Sequence, residues 1–245
     1  MYGWRARIGL VIPANNTVIE PEFSKIMPLG VSAFGARIRS FGLTAEGIEK
    51  MVENSHRAVE ELAVGGMDVI AYACLATSLV KGENWTQNFQ EMVQLKTGKP
   101  VFTAAHATLD ALHNFGVSRV ALATPYPDSI NNLLYPLFKS ADIEIVALKN
   151  VTVKNSLEVC RLPPLTAYRL AKEADHEKAE AICVLATDFR SIESLKFLEE
   201  DLGKPTISTN QALMWRCLRA CRISDRISDY GSLLQKQCVP VRSNV

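Results

Sequence analysis

Short runs of apolar, largely β-branched residues recur along the chain. Between them lie longer segments in which apolar positions return every three or four residues. The runs at residues 7–12 (RIGLVI), 31–38, 68–73 (DVIAYA), 100–103, 119–123 (RVALA), 143–148, 181–185 and 205–208 predict strands. The helical period predicts helices over 44–64, 85–95, 105–115, 128–140, 164–173, 192–202 and 211–220. Strands that alternate with helices predict an α/β fold of parallel sheets covered by helices. Strands that are apolar throughout, rather than at every second position, fit burial on both faces.

The pattern repeats. RIGLVIP at 7–13 resembles RVALATP at 119–125, and DVIAYACLAT at 68–77 resembles EAICVLAT at 180–187, both at an offset of 112. KPVFTAAHA at 99–107 resembles KPTISTNQA at 204–212, at an offset of 105. Three matches in one order predict two pseudo-symmetric, Rossmann-like halves, residues 1–114 and 115–245, with the last helix able to cross back to the first half. Ligands of open α/β sheets bind beyond the carboxyl ends of the strands. A site between the halves would therefore draw on segments 13–17, 74–78, 124–126 and 186–190.

Bulk properties remove several classes. The 245 residues carry a net charge of +1, which gives no electrostatic footprint for nucleic acid or an anionic membrane. No apolar run approaches the ~20 residues needed to span a bilayer. The six cysteines form no CxxC pair and no zinc-type spacing with histidine. There is no GxGxxG, Walker or HExxH sequence, so neither nucleotide nor metal is implied. Free thiols predict a cytoplasmic protein.

Cys74 is the leading candidate for chemistry. It ends an apolar strand and precedes LATS, where backbone N–H groups around Ala76 and Thr77 and a helix start can lower a thiol pKa. A buried structural cysteine is the alternative. The loop PANNT at 13–17 offers Asn16 and Thr17 either to a carboxylate or to ordinary helix capping. Tyr126 in the matching second-half loop can donate a hydrogen bond or pack, and Asn210 shares that ambiguity. The 112 offset sets Ala186 opposite Cys74, followed by Thr187. Cys183 reads as core, and His106 is the histidine nearest the expected cleft.

These residues carry a resemblance. IGLVIPANNTVIE, YACL around Cys74, TPY at 124–126, and TDFRSIE, LGKP and STNQALMW in the second half resemble the maleate isomerase and arylmalonate decarboxylase branch of the aspartate/glutamate racemase superfamily. The resemblance implies two α/β halves, a site between them, no cofactor and a homo-oligomer. It implies a small mono- or dicarboxylate as substrate, with no nucleic-acid or membrane partner.

Its isomerases use two opposed cysteines, and its decarboxylases keep the second. Cys74 matches the first, nucleophilic position and Ala186 the second. Asn16 and Tyr126 match carboxylate-binding positions, and Asn155 or Ser156 falls near another. Ala186 reads either as a substitution for a cysteine or as the native residue of a protein with different chemistry. The expected activity is maleate cis–trans isomerisation. The alternatives are racemisation of an amino-acid derivative, arylmalonate-type decarboxylation or elimination, and non-catalytic carboxylate binding.

Overall fold

The computed structural model describes residues 1–42, 45–153 and 155–237. The first sheet holds β1 (Ala6–Pro13), β2 (Val31–Ile38), β3 (Val69–Tyr72) and β4 (Val101–Thr103), in the order β2-β1-β3-β4. The second holds β5 (Arg119–Thr124), β6 (Glu144–Asn150), β7 (Ala181–Val184) and β8 (Thr206–Ser208), in the order β6-β5-β7-β8. All pairings are parallel. Every predicted strand is present, and the strand order of one sheet repeats in the other. The central strands β3 and β7 are buried along their whole length, as their unbroken apolar character requires.

The helices are α1 (Ile19–Ile26), α2 (Ala45–Val64), α3 (Leu75–Lys81), α4 (Glu83–Thr97), α5 (Ala104–Phe115), α6 (Asp128–Asn131), α7 (Leu134–Ser140), α8 (Ser156–Arg161), α9 (Pro164–Ala174), α10 (Ile192–Leu202) and α11 (Thr209–Ala220). Thr44, expected to open α2, lies outside the described residues. Three short helices, α1, α3 and α8, were not predicted. The single helix expected over 128–140 is broken into α6 and α7. Pro136 explains the break: its ring would clash with the carbonyl of Asn132, and it has no N–H to offer there.

The third repeat has a local cause. Each half runs from a short strand through a hydroxyl cap into a helix. Thr103 accepts from the His106 N–H at the start of α5, and Ser208 accepts from the Gln211 N–H at the start of α11. In the second case Gln211 returns the bond to the Ser208 N–H at 3.3 Å and completes a capping box. The offset drops from 112 to 105 because the stretch holding α3 in the first half is slightly longer than the loop at the same place in the second, and because α4 is a turn longer than α10.

α5 and α11 pack on each other, and α11 also reaches α1, β3 and β4. Arg216 on α11 donates to Asp110 on α5 at 2.7 Å and covers the Phe102 ring at 4.3 Å. One apolar core runs from β1 and α1 through α5 and α11 to β7 and α10. A second lies on the other face of the first sheet, where Tyr72 meets Trp85 and Phe89 edge-on.

Candidate active site

A cavity of about 240 Å³ opens where the carboxyl ends of the two sheets meet. This volume suits a small ligand, since drug-sized sites start near ~300 Å³. The four expected segments all reach its wall, through Asn15 and Asn16, Cys74 and Ala76, Tyr126, and Thr187 and Asp188. Two further stretches close it. Ser40, Gly42, Ile48 and Met51 come from the β2–α2 side, and Val153, Asn155, Ser156 and Val159 from the β6–α8 side.

Cys74 is extended, with φ −144° and ψ 103°, and α3 begins at the next residue. The side chain is 7% exposed. Burial pushes its thiol pKa up, and the negative charge of Asp188 adds to that. The Thr77 hydroxyl opposes both by donating to Sγ at 3.1 Å, and the backbone N–H groups of Thr77 and Ala76 act in the same direction. Protein dipoles thus offset in part what burial in an otherwise apolar wall costs the thiolate.

Tyr126 is buried, and desolvation first, then the charges of Asp188 and Cys74, hold its hydroxyl firmly protonated. It is a hydrogen-bond donor here, not an acid. Asp188 is half-buried at the cavity wall, and desolvation there raises its pKa against a hydrogen bond received from the Ser156 hydroxyl. Asn15 leaves its Oδ1 without a partner among the described residues. No group of three His, Cys, Asp or Glu side chains among the described residues is arranged to hold a metal ion.

The polar wall is pinned across the two sheets. Asn16 Oδ1 accepts from the N–H groups of Val18 and Ile19 at 2.9 and 3.2 Å, which starts α1. Its Nδ2 donates to the Thr187 hydroxyl at 3.1 Å, and that hydroxyl donates to the Ala73 carbonyl at 3.0 Å. Behind them Glu22 of α1, fully enclosed, accepts from the N–H groups of Ser191 and Ile192 at the start of α10 and from Asn210 Nδ2 at 2.6 Å. Burial raises the Glu22 pKa to about 7, the hydrogen bonds holding it back only in part.

Several predicted residues stand elsewhere than expected. Thr17 is exposed and off the cavity wall, because the chain turns at Asn16 to let its amide cap α1. Asn210 is completely buried behind the wall, bonded to Glu22 and to the Thr187 carbonyl at 2.9 Å, so it positions rather than contacts. Thr77 is behind Cys74. Ala186 is buried, is not part of the cavity lining, and holds a left-handed φ of 103°. Asn155 and Ser156 both line the cavity: Asn155 caps α8 by accepting from the Glu158 N–H, and Ser156 bonds Asp188. Cys183 is core, as expected. His106 is held by Gln90 and Glu83 at 2.6 and 2.8 Å, away from the site. Glu22 was missed, as were the apolar walls from α2, and Asp188 entered only as part of the expected segment 186–190, with no role of its own.

Two parallel four-stranded sheets, joined at their carboxyl ends around one small cavity with a thiol in its wall, define an α/β protein of the two-halved, cleft-site class. Residues 8–234 match the family described as arylmalonate decarboxylase, and the chain belongs to it. Its relatives include maleate isomerases and the arylmalonate decarboxylase of Bordetella bronchiseptica, to which it is 23% identical over 86% of this chain and 89% of that protein. It is 26% identical over 242 residues to the maleate isomerase of Geobacillus stearothermophilus, covering 93% of this chain and 96% of that protein. A cysteine-to-serine mutant of the Nocardia farcinica maleate cis-trans isomerase, solved with a covalently bound succinylcysteine intermediate, is 26% identical with a TM-score of 0.87, covering 94% of this chain and 98% of that one. The maleate isomerase Iso of Pseudomonas putida S16, solved as a cysteine-to-alanine variant with maleate, has the same fold, with a TM-score of 0.89 at 24% identity over 94% of this chain and 97% of that one.

Proposed function

We propose that this chain isomerises maleate to fumarate with Cys74 as nucleophile. One observation carries the reading: Cys74 is the cysteine that faces the cavity among the described residues, and its sulfur accepts hydrogen bonds that favour the thiolate. The thiolate adds to one alkene carbon, and the electron pair of the double bond moves toward the far carboxylate. Rotation about the resulting single bond, then expulsion of the thiolate, yields the trans alkene. Tyr126 and the amides of Asn15 and Asn16 orient the carboxylates, and the small cavity excludes larger acids. Donors that meet charge as it accumulates contribute ~3–4 kcal/mol each to such a step. The reading includes a homo-oligomer in the cytoplasm, where Cys74 stays reduced.

Proton NMR of the protein with maleate tests this, together with intact mass after acid quench. Fumarate should form, an adduct of one substrate mass should be trapped on Cys74, and Cys74→Ala should lose both. Absence of fumarate and adduct alike, or carbon dioxide from a phenylmalonate instead, would replace the reading.

A further inference from the structure

Position 186, where the repeat calls for a partner to Cys74, carries no acid, so the second proton-handling group must come from elsewhere. Ala186 has no titratable atom and lies outside the cavity lining. Of the second-half side chains in the wall, Thr187 is committed to Asn16 and the Ala73 carbonyl. Tyr126 is too weak an acid in its enclosed position. Asn155 is a helix cap and Ser156 an alcohol. That leaves Asp188, two residues beyond the vacant position, in the wall of the same cavity as Cys74 but on the opposite half.

We propose that Asp188 is the catalytic acid and base that completes the site, replacing a second thiol with a carboxyl group. This rests on the maleate reading. As the Cys74 sulfur bonds to C2 of maleate and the C2–C3 π bond breaks, the proton of the Asp188 carboxyl passes to C3. The product is a succinyl thioether and an Asp188 carboxylate. After rotation about C2–C3, that carboxylate removes a proton from C3. The C–H electron pair forms the new π bond, the C2–S bond breaks, and fumarate leaves with the Cys74 thiolate and the Asp188 acid restored.

The surroundings suit this role. The titratable groups in the described cavity wall are Cys74, Tyr126 and Asp188, with Tyr72 behind Cys74. Burial favours the neutral carboxyl, and the Ser156 hydroxyl fixes its orientation. A dianionic substrate entering beside Asp188 favours its neutral form further, so binding loads the proton that the chemistry spends. The charge of Asp188 disfavours ionisation of Cys74, so the two titrate as a coupled pair, and the thiolate with a protonated Asp188 is the one of its protonation states that reacts.

The test is Asp188→Asn, close to isosteric, checked for folding by thermal melt. Asp188→Ser gives the same readouts should the amide unfold the chain. Two measurements are made. The first is the pH dependence of Cys74 alkylation by iodoacetamide, followed by peptide mass spectrometry, which needs no maleate. Its inflection should move down by about one pH unit when the neighbouring charge is removed. An unmoved inflection overturns the pairing. The second is maleate turnover in deuterium oxide. The parent should wash deuterium into the vinyl position of fumarate, and the variant should lose at least about 100-fold in kcat, the lower end of what a positioned acid or base contributes. Turnover within threefold of the parent overturns the proposal. A parent that shifts its alkylation profile with Asp188 but makes no fumarate refutes the maleate reading and leaves the Cys74–Asp188 pair standing.

Discussion

Glu22 is the sharpest place to test the physics of this fold. It is a carboxylate in the interior, with three donors from the second half aimed at it and, among the described residues, no cation touching it. Its pKa is carried from an ordinary 4.5 to about 7, chiefly by burial. A group whose folded pKa is raised contributes its full stability below the unfolded pKa and loses it as pH rises through the folded one. The folded protein holds the proton that the unfolded chain has released, so stability falls with pH in that window. A shift of this size is worth about 3 kcal/mol. Glu22→Gln keeps Oε1 for the Ser191 and Ile192 N–H groups and removes the titration. Its Nε2 meets Asn210, whose Oδ1 has no partner among the described residues and can turn to accept. Whatever that adjustment costs is independent of pH. Urea unfolding of both proteins from about pH 4 to 8 should therefore show the parent losing about 3 kcal/mol relative to the variant, all of it between pH 4.5 and 7. A difference that stays flat, or grows in the parent's favour as pH rises, refutes the reasoning.

Other consequences are simpler to check. Thr77→Val removes the hydroxyl that donates to Cys74 Sγ, so the thiol pKa rises and alkylation of Cys74 near pH 8 slows several-fold, read by peptide mass spectrometry. Tyr126→Phe deletes one donor to the substrate carboxylate; KM for maleate should rise about tenfold, the worth of ~1.4 kcal/mol, with a smaller effect on kcat. Ala186→Gly relieves a left-handed φ of 103° and should stabilise the fold by about 1 kcal/mol, raising the melting midpoint by ~2–4 °C.

The framework was legible because its signals are local and repeated. The strands announce themselves as short, largely apolar runs, unbroken in β3 and β7, and the third repeat records a strand, a cap and a helix start that recur at Thr103 and Ser208. The unread helices are those whose local signals conflict. α1 carries Pro21 in its first turn, where the missing N–H costs nothing, and Asn16 starts it from outside the helix. α3 reads as a hydroxyl-rich loop because its buried Thr77 and Ser78 serve the site and the core. Cys74, Asn16 and Tyr126 were found because strand ends and a family pattern point to them. Glu22 was not, and Asp188 was placed only within a segment and not singled out, since a lone carboxylate in a polar segment looks solvated. Only the tertiary fold encloses these two.

The two halves share a strand order yet part company at the ends of β3 and β7, and this asymmetry decides how the site works. After β3 the chain is extended at Cys74 and enters α3 at once, so the thiol rides on a helix start. After β7 it turns left-handed at Ala186 and runs as a loop to Ile192 before α10 begins. That loop holds Thr187 and Asp188 at the cavity, and first-half groups fix it: Asn16 and the Ala73 carbonyl at Thr187, and Glu22 at Ser191 and Ile192. Each half thereby supplies what the other lacks. The first brings a thiol at a helix start, and the second brings a loop whose place is set from across the cavity. A cysteine opposite Cys74 would need the strained position at 186 to face the ligand. Under the proposal above, a carboxyl two residues on reaches the cavity from a loop already tied down, which gives a site with one thiol two chemical sides.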